Sequence, residues 1–305
     1  MSALGQPAGI KKASLVQRII TGFFFVVIML LAIVAGNTFM LLPALMSIFA
    51  VLGTREFYRI VAPDMAAVPT LIGMLFAASM PLVIFASGLF YENLNPIISP
   101  ETGLGGMGPL LALLYLVLVV FSAYLVWAAL TTDARSRDAA VSFFGALYLG
   151  IPLSCLLLIR EMNSGMMIAV AIVFSIWAAD SFAYLGGSLF GRHKLAPKIS
   201  PKKSWEGLAA GAVGAIVFWH LIPFFWAGQA SWFAAIVLGI IVTASALIGD
   251  LFESRIKREA GVKDSGTLLP GHGGLLDRID SLLLVAPLMF VVLSTIGVYL
   301  GVFAH

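Results

Sequence analysis

The chain has 305 residues, of which 61% are hydrophobic and only 11% are charged, and its formal net charge is +3. Soluble domains carry about 25% charged residues, so this composition excludes an ordinary soluble protein. The single cysteine, Cys155, excludes an intramolecular disulfide, and no cluster of Cys and His predicts a zinc site. The composition therefore indicates an integral membrane protein.

Apolar runs long enough to cross a bilayer, about 20 residues each, recur along the chain. Backbone groups in lipid must hydrogen-bond within a helix or a closed barrel, and the sequence lacks the alternation of a barrel. We therefore predict an all-α polytopic membrane protein. Residues 1–165 would hold the first five transmembrane helices, and residues 166–305 the catalytic helices six to nine. The nine predicted helices are 18–36, 38–54, 68–91, 109–130, 139–159, 166–189, 206–227, 232–253 and 281–303.

The basic residues give the predicted orientation. If the N-terminus is cytoplasmic, all of the 18 Lys and Arg residues except Arg160 fall in inner segments. This distribution predicts a cytoplasmic N-terminus and an external C-terminus. Two inner segments, residues 190–205 and 254–280, are long and rich in charge, Gly and Pro. We expect both segments to face the cytoplasmic side of a cell membrane.

Carboxylates inside the predicted spans are the first sign of chemistry, because each costs about 2.5–3.5 kcal/mol near a helix centre. Asp280, which precedes Ser281, is interpreted as a helix cap. Glu206 is interpreted as complementing a helix dipole, and Asp180 as either a functional or a structural hydrogen-bonding group. All such residues lie toward the predicted cytoplasmic side: Asp180, Glu206, Asp250, Glu253, Asp277 and Asp280.

The segment from residue 250 to 280 combines acidic residues, basic residues and glycines. On a continuing helix, Asp250, Glu253, Ser254 and Lys257 would share one face. The glycines that follow break the helix and leave N–H groups free for phosphate, beside four cations. Paired carboxylates such as Asp250 and Asp277 suit Mg²⁺ held together with substrate phosphates. This combination is typical of phosphoryl or nucleotidyl transfer.

The segment from residue 186 to 206 is less specific. It nearly matches a phosphate-binding P-loop, but it follows a membrane helix and not a strand, so that interpretation is rejected. Its lysines contact either anionic lipids or substrate phosphates, and the sequence leaves both readings open. The pair Gly207 and Gly211 indicates close helix packing, within the chain or between subunits.

A longer pattern resembles the signature of the phosphatidate cytidylyltransferases, also called CDP-diglyceride synthases. It matches that signature without departure at Ser254, Ile256, Lys257, Arg258, Lys263, Asp264, Gly266, Leu269, Pro270, His272, Gly273, Gly274, Leu275, Asp277, Arg278, Ile279 and Asp280. Residues Ala179, Asp180, Ala183 and Tyr184 and the run 199–207 are also similar, although Phe182 is bulkier than is usual. The resemblance covers residues 175–290, whereas the first 160 match only as hydrophobic helices.

The resemblance implies a nine-helix homodimer with a cytoplasm-facing, lipid-accessible polar cavity and a two-cation centre of Mg²⁺ and a second cation. The implied reaction joins CTP and phosphatidate to give CDP-diacylglycerol and pyrophosphate. We expect Asp250, Asp277, Lys257 and Lys263 to be catalytic, and Asp250 and Asp277, with Asp180 and Glu253, to bind metal. The expected phosphate-binding residues are Lys202, Lys203, Ser204, Ser254, Arg258, Asp264, His272, Gly273, Gly274 and Arg278.

Two other functions remain open from the residues alone. A CTP-dependent polyprenol or phytol kinase would use a similar metal site but an alcohol nucleophile, which favours a positioned base. An ion or phosphate transporter would place charges near the bilayer midplane, in both halves of the chain. His272 is not expected to be a general base, because a lipid phosphate is mostly dianionic at about pH 7. The predicted partners are CTP, phosphatidate and the bilayer, with no nucleic acid.

Overall fold

A computed structural model gives the structure of the protein over residues 15–35, 40–98, 108–131, 135–225 and 232–296. The predicted N-terminal lysines and the external C-terminus lie outside these described residues. The helices are α1 (Leu15–Ala35), α2 (Leu41–Val61), α3 (Ala67–Ile98), α4 (Gly108–Leu130), α5 (Ser136–Arg160), α6 (Gly165–Phe190), α7 (Trp205–Phe225), α8 (Trp232–Glu259), α9 (Leu276–Ile279) and α10 (Leu282–Ile296). Strands β1 (Lys194–Ala196) and β2 (Ser200–Ser204) connect α6 to α7.

The all-α polytopic prediction is confirmed. Each of the nine predicted apolar helices has a counterpart among α1–α8 and α10 in the described part of the chain. Eight helical segments there are long and apolar enough to cross a membrane, and the apolar part of α1, Ile20–Ala35, is shorter. Apolar side chains cover much of the outer surface, as expected where lipid replaces water as the solvent.

Several boundaries differ from the sequence prediction, and one is the end of α3, which continues to Ile98. Helix α2 continues to Val61, and α8 continues to Glu259, so the predicted loop 254–280 begins inside a helix. Both extensions carry charged residues, which a helix tolerates once it leaves the apolar layer. The predicted loop 190–205 contains an antiparallel hairpin, with Lys194 opposite Ser204 and Ala196 opposite Ser200. Strands this short leave no periodic hydrophobic signal in the sequence.

Small residues let α6, α7 and α8 pack closely. A Cβ atom added to Gly207 would lie 2.8 Å from the carbonyl oxygen of Ala183, and one added to Gly211 would lie 2.8 Å from that of Ala179. The Gly207 and Gly211 pair therefore packs against α6 of the same chain. This contact holds the hairpin end of α7 beside Asp180 of α6.

Helix α5 lies at the centre of the half of the bundle that α1–α5 form, and it packs against α2, α3 and α10. In the most apolar stretch of α5, 67% of the residues are buried. The corresponding share in α4 is 6%, so α4 lies at the edge of the bundle. Because α10 also packs against α8, the α1–α5 half is joined directly to the helices that carry the acidic residues. The C-terminal ends of α2 and α8 thus meet the chain that leads into α10.

Candidate active site

Three carboxylates converge at the end of α8 and the start of α10. Oxygen atoms of Asp250, Glu253 and Asp280 all lie within 4.8 Å of one another. Glu253 is only 1% exposed, and its Oε1 atom has no hydrogen-bond partner among the described residues. Negative charges this close repel one another strongly in a desolvated site, so a bound cation would stabilise the group. An all-oxygen donor set of this kind fits a hard divalent cation such as Mg²⁺.

Two lysines surround the acidic cluster formed by Asp250, Glu253 and Asp280. The Nζ atom of Lys203, on β2, lies 2.5 Å from Oδ2 of Asp250. Lys257 is buried and forms ion pairs with both Glu253 and Asp277, the second at 2.6 Å. Lys257 therefore links the acidic cluster to the Gly-rich segment that follows α8.

Asp277 organises that segment, which we call the signature loop and define as residues 260–280. Its Oδ2 atom accepts hydrogen bonds from the Ser265 amide at 2.9 Å, the Ser265 hydroxyl at 3.0 Å and the Gly274 amide at 2.8 Å. Its Oδ1 atom accepts from Lys257. The structure thus joins Asp250 with Glu253 and Asp280, whereas Asp277 binds the loop and Lys257. The metal-binding role of Asp277 stays a prediction.

Three glycines of the signature loop have backbone conformations that other residues rarely adopt. The φ angle is 71° at Gly261, 80° at Gly271 and 83° at Gly273. A Cβ atom added to Gly273 would also lie 2.6 Å from Oδ2 of Asp277. The expectation that the glycine amides of the loop are free is wrong for Gly261 and Gly274, because Gly261 donates to the Arg258 carbonyl and Gly274 donates to Asp277. The phosphate-binding roles of Gly273 and Gly274 stay predictions.

Glu56 of α2 is a site residue that the sequence analysis missed. It is 6% exposed, and it accepts hydrogen bonds from the Leu275 amide at 3.1 Å and the Leu276 amide at 2.8 Å. Its Oε2 atom also lies 3.0 Å from the Ser265 hydroxyl, whose single proton is shared between this oxygen and Oδ2 of Asp277. The only sequence signal is one carboxylate between Arg55 and Arg59 at the end of an apolar run. The charge distribution placed that stretch in a solvated segment, so no contact was expected.

Asp280 has a second environment that the sequence analysis did not predict. It was expected to cap the last helix, and its Oδ1 atom does accept a hydrogen bond from the adjacent Ser281 amide at 2.7 Å. Its carboxylate nevertheless lies in the acidic cluster and lines a cavity together with Asp180 and Asp277. A spacing of three residues from Asp277 could have indicated that both carboxylates lie on one side of the chain.

The remaining predicted site residues either form hydrogen bonds with neighbouring groups or have exposed side chains. Arg278 donates to the His272 carbonyl at 2.9 Å, and a ring nitrogen of His272 lies 2.8 Å from the hydroxyl of Thr21 on α1. Ser254 donates to Asp250 at 3.1 Å. Ser204 accepts from the Gly207 amide at 3.1 Å and so caps α7. The side chains of Lys202, Arg258, Lys263 and Asp264 are exposed.

Two cavities meet at Asp180. One, of about 240 Å³, lies between α1, α6 and the signature loop, with an apolar wall that includes Phe25 and Trp177 and a polar end at Asp277 and Asp280. The other, of about 210 Å³, lies beside the hairpin and is lined by groups that include Lys202, Lys203 and Ser204. An apolar wall beside carboxylates and cations suits a reaction between a lipid and a phosphate-bearing solute.

Comparison with known proteins identifies the family of this chain. A family model described as "Cytidylyltransferase family" matches residues 16–296. The chain belongs to the cytidylyltransferase family, and the predicted resemblance is confirmed. Because the match begins in α1 and ends in α10, it includes the helices that the signature alone left unassigned.

Several curated relatives are named phosphatidate cytidylyltransferase. The chain is 46% identical over 127 residues to phosphatidate cytidylyltransferase of Haemophilus influenzae, a match that covers 40% of this chain and 44% of that protein. It is 32% identical over 321 residues to phosphatidate cytidylyltransferase 4, chloroplastic, of Arabidopsis thaliana, covering 93% of this chain and 75% of that protein. It is 42% identical over 152 residues to phosphatidate cytidylyltransferase of Rickettsia typhi, covering 48% of this chain and 67% of that protein.

Proposed function

We propose that this protein is a phosphatidate cytidylyltransferase, which transfers CMP from CTP to phosphatidate and releases pyrophosphate. The observation that carries the proposal is the acidic cluster of Asp250, Glu253 and Asp280, tied through Lys257 to the signature loop. The family membership and the names of its relatives support the same activity. The product is CDP-diacylglycerol, a precursor in phospholipid biosynthesis.

In the proposed reaction, a phosphate oxygen of phosphatidate forms a bond to the α-phosphorus of CTP. The bond between the α- and β-phosphates breaks, and pyrophosphate leaves with the bonding electrons. The lipid phosphate is mostly dianionic at about pH 7, so the attack needs no proton removal. The enzyme's task is to bring together two anions and to stabilise the charge that develops between them.

The residues of the acidic cluster would hold Mg²⁺, and a second cation would bind nearby with Asp277 or Asp180. When bound, the metal neutralises phosphate charge and stabilises the departing pyrophosphate. Lys203 and Lys257 already lie against the carboxylates, so each can exchange a carboxylate contact for a phosphate oxygen as substrate binds. The expected catalytic role of Lys263 is that of an exposed cation at the rim of the loop.

The two cavities suggest separate positions for the two substrates. We assign the acyl region of phosphatidate to the cavity with the apolar wall between α1 and α6, where Phe25 and Trp177 lie. We assign the triphosphate of CTP to the hairpin cavity, where Lys202 and Lys203 supply positive charge. The reacting phosphates would then meet near Asp180, which lines both cavities.

We further propose that the signature loop and the hairpin face the cytoplasm and that the enzyme forms a homodimer in the inner membrane. The orientation follows from the distribution of basic residues. Single cysteines introduced at Ser200 and at the C-terminus should be labelled from opposite sides of the membrane. The buried native Cys155 gives little background. Labelling of both sites from one side would contradict the orientation.

The activity is tested with purified protein, CTP and Mg²⁺, with and without phosphatidate. We expect pyrophosphate release that requires phosphatidate and matches the CDP-diacylglycerol formed. A lipid kinase would release CDP and no pyrophosphate, and a transporter would release neither. Asp250→Asn should abolish the reaction, whereas Asp64→Asn, which alters exposed ion pairs between α2 and α5, should leave it unchanged.

A further inference from the structure

Glu56 reaches the signature loop from a distant part of the chain. It lies on α2, more than 200 positions before the groups it binds, and its side chain is buried. Its Oε1 atom accepts from the Leu275 amide, and its Oε2 atom accepts from the Leu276 amide and the Ser265 hydroxyl. Both oxygens therefore face hydrogen-bond donors, which is the environment of a carboxylate and not of an amide.

The same loop groups connect Glu56 to Asp277. The Ser265 hydroxyl lies 3.0 Å from Oε2 of Glu56 and 3.0 Å from Oδ2 of Asp277. Leu275 and Leu276 directly precede Asp277, so the amides bound by Glu56 fix the backbone from which the Asp277 side chain extends. Asp277 in turn holds Lys257, which contacts Glu253 of the acidic cluster. A continuous chain of contacts thus runs from α2 to the proposed metal site.

Two signature glycines make room for this carboxylate. A Cβ atom added to Gly266 would lie 2.6 Å from Oε1 of Glu56, and one added to Gly274 would lie 2.7 Å from its Cδ atom. Both distances are shorter than side chains tolerate. Glu56 therefore leaves no room for a side chain at Gly266, and Glu56 together with the Ser265 hydroxyl leaves none at Gly274.

We propose that Glu56 is a positioning residue for nucleotidyl transfer. It holds the signature loop in the conformation that orients Asp277 and Lys257 toward the acidic cluster, without touching substrate itself. This role rests on the proposed function of the site. Partners that orient metal ligands typically contribute about 10- to 100-fold to metal affinity or activity, and we expect an effect of that size here.

The test compares Glu56→Gln with Asp138→Asn. Glutamine keeps the shape of Glu56 but turns an NH₂ group toward one of the donors, so at least one contact is lost. Asp138 is another buried acid, and it binds the Ala66 amide and Arg135, neither of which belongs to the signature loop, so it serves as the matched control. The measurements are kcat, KM for each substrate, the Mg²⁺ concentration giving half the maximal rate, and the melting temperature.

We expect Glu56→Gln to lower kcat about 10- to 100-fold and to raise the Mg²⁺ requirement, with smaller changes in KM. Asp138→Asn should lower the melting temperature and leave kcat per folded molecule unchanged. A Glu56→Gln enzyme that keeps kcat and the Mg²⁺ requirement within about twofold of the wild type would overturn the proposal. So would a variant that loses only thermal stability.

A second readout does not depend on activity. Backbone hydrogen exchange in peptides covering residues 265–280 should be faster in Glu56→Gln than in the wild type, and unchanged there in Asp138→Asn. Unchanged exchange would show that Glu56 does not position the loop, whatever reaction the enzyme catalyses. If Glu56→Gln does not fold, Glu56→Asp, which keeps the charge but shortens the reach to the Leu275 and Leu276 amides, tests the same contacts, and full activity with unchanged exchange in that variant would also contradict the proposal. Failure of the wild type to release pyrophosphate would instead contradict the proposed function alone.

Discussion

The signature loop and the β1–β2 hairpin flank the same acidic cluster but differ in how their polar groups are used. In the loop, Asp277, Ser265 and the amides of Leu275 and Leu276 are all engaged with other protein groups. In the hairpin segment, Lys194, Lys198 and Lys202 are exposed, and only Lys203 turns inward to a carboxylate. The loop is therefore set before substrate binds, whereas the hairpin lysines are available for a charged ligand.

This difference separates two kinds of contribution to catalysis. A pre-set constellation stabilises charge without reorganising during the reaction, so its loss should lower kcat. Exposed cations attract anionic substrates but are screened by salt, so their loss should chiefly raise KM. Variants of groups tied to the acidic cluster, Lys203 included, should consequently lower kcat, whereas variants of exposed hairpin cations should chiefly raise KM.

The largest effect is expected at Asp277 in the signature loop. In Asp277→Asn, the new NH₂ group must face either the loop amides or Lys257, so one set of donors loses its acceptor. We expect kcat to fall on the order of 10²- to 10³-fold or more, while the protein remains folded in membranes. Turnover rates at saturating Mg²⁺ provide the measurement. Substantial remaining activity would mean that the loop is less dependent on Asp277 than its contacts indicate.

A similar loss, about 10²-fold, is expected for Asp280→Asn. Asparagine can still accept the hydrogen bond from the Ser281 amide, so the helix start is preserved while the charge in the acidic cluster is removed. The Mg²⁺ concentration needed for half-maximal activity should rise. If Asp280 is only a helix cap, kcat and the Mg²⁺ requirement of this variant will equal those of the wild type.

Substitution of the two hairpin lysines should affect different kinetic parameters. Lys203→Gln removes the partner of Asp250, and we expect kcat to fall about 10-fold. Lys202→Gln should raise KM for CTP about 2- to 5-fold, with a difference that shrinks as salt is added. Lys198→Gln, an exposed change outside the hairpin cavity, is the matched control. Equal kcat losses for Lys202→Gln and Lys203→Gln would remove the distinction between loop and hairpin.

The smallest effect is expected at His272. It contacts α1 through Thr21, and its carbonyl oxygen binds Arg278, so the residue helps to shape the loop. His272→Gln should raise the KM for CTP severalfold and leave the pH profile of kcat/KM unchanged. If the pH profile of the variant lacks an ionisation at about pH 6.5, and the rate falls about 10²- to 10⁴-fold, His272 is a general base.

Helix existence and the main chemical signature were accessible from sequence because both are local. Apolar runs identify spans wherever backbone groups must be satisfied in lipid. The pattern from Ser254 to Asp280 could be compared with a known family without any three-dimensional information. Helix ends were less accessible, because α2 and α8 continue past the apolar layer into charged residues.

Which residues form the site was decided by the tertiary structure. Nothing in the local sequence distinguishes Glu56 from a solvated charge, and its role becomes visible only when α2 packs beside the signature loop. Asp280 was predicted as a cap because a helix follows it, yet the packing of α8 against α10 brings its carboxylate to Asp250 and Glu253. Hydropathy and local spacing sum over neighbours in the chain, whereas a cation site depends on oxygens that separate helices bring within a few ångströms of each other.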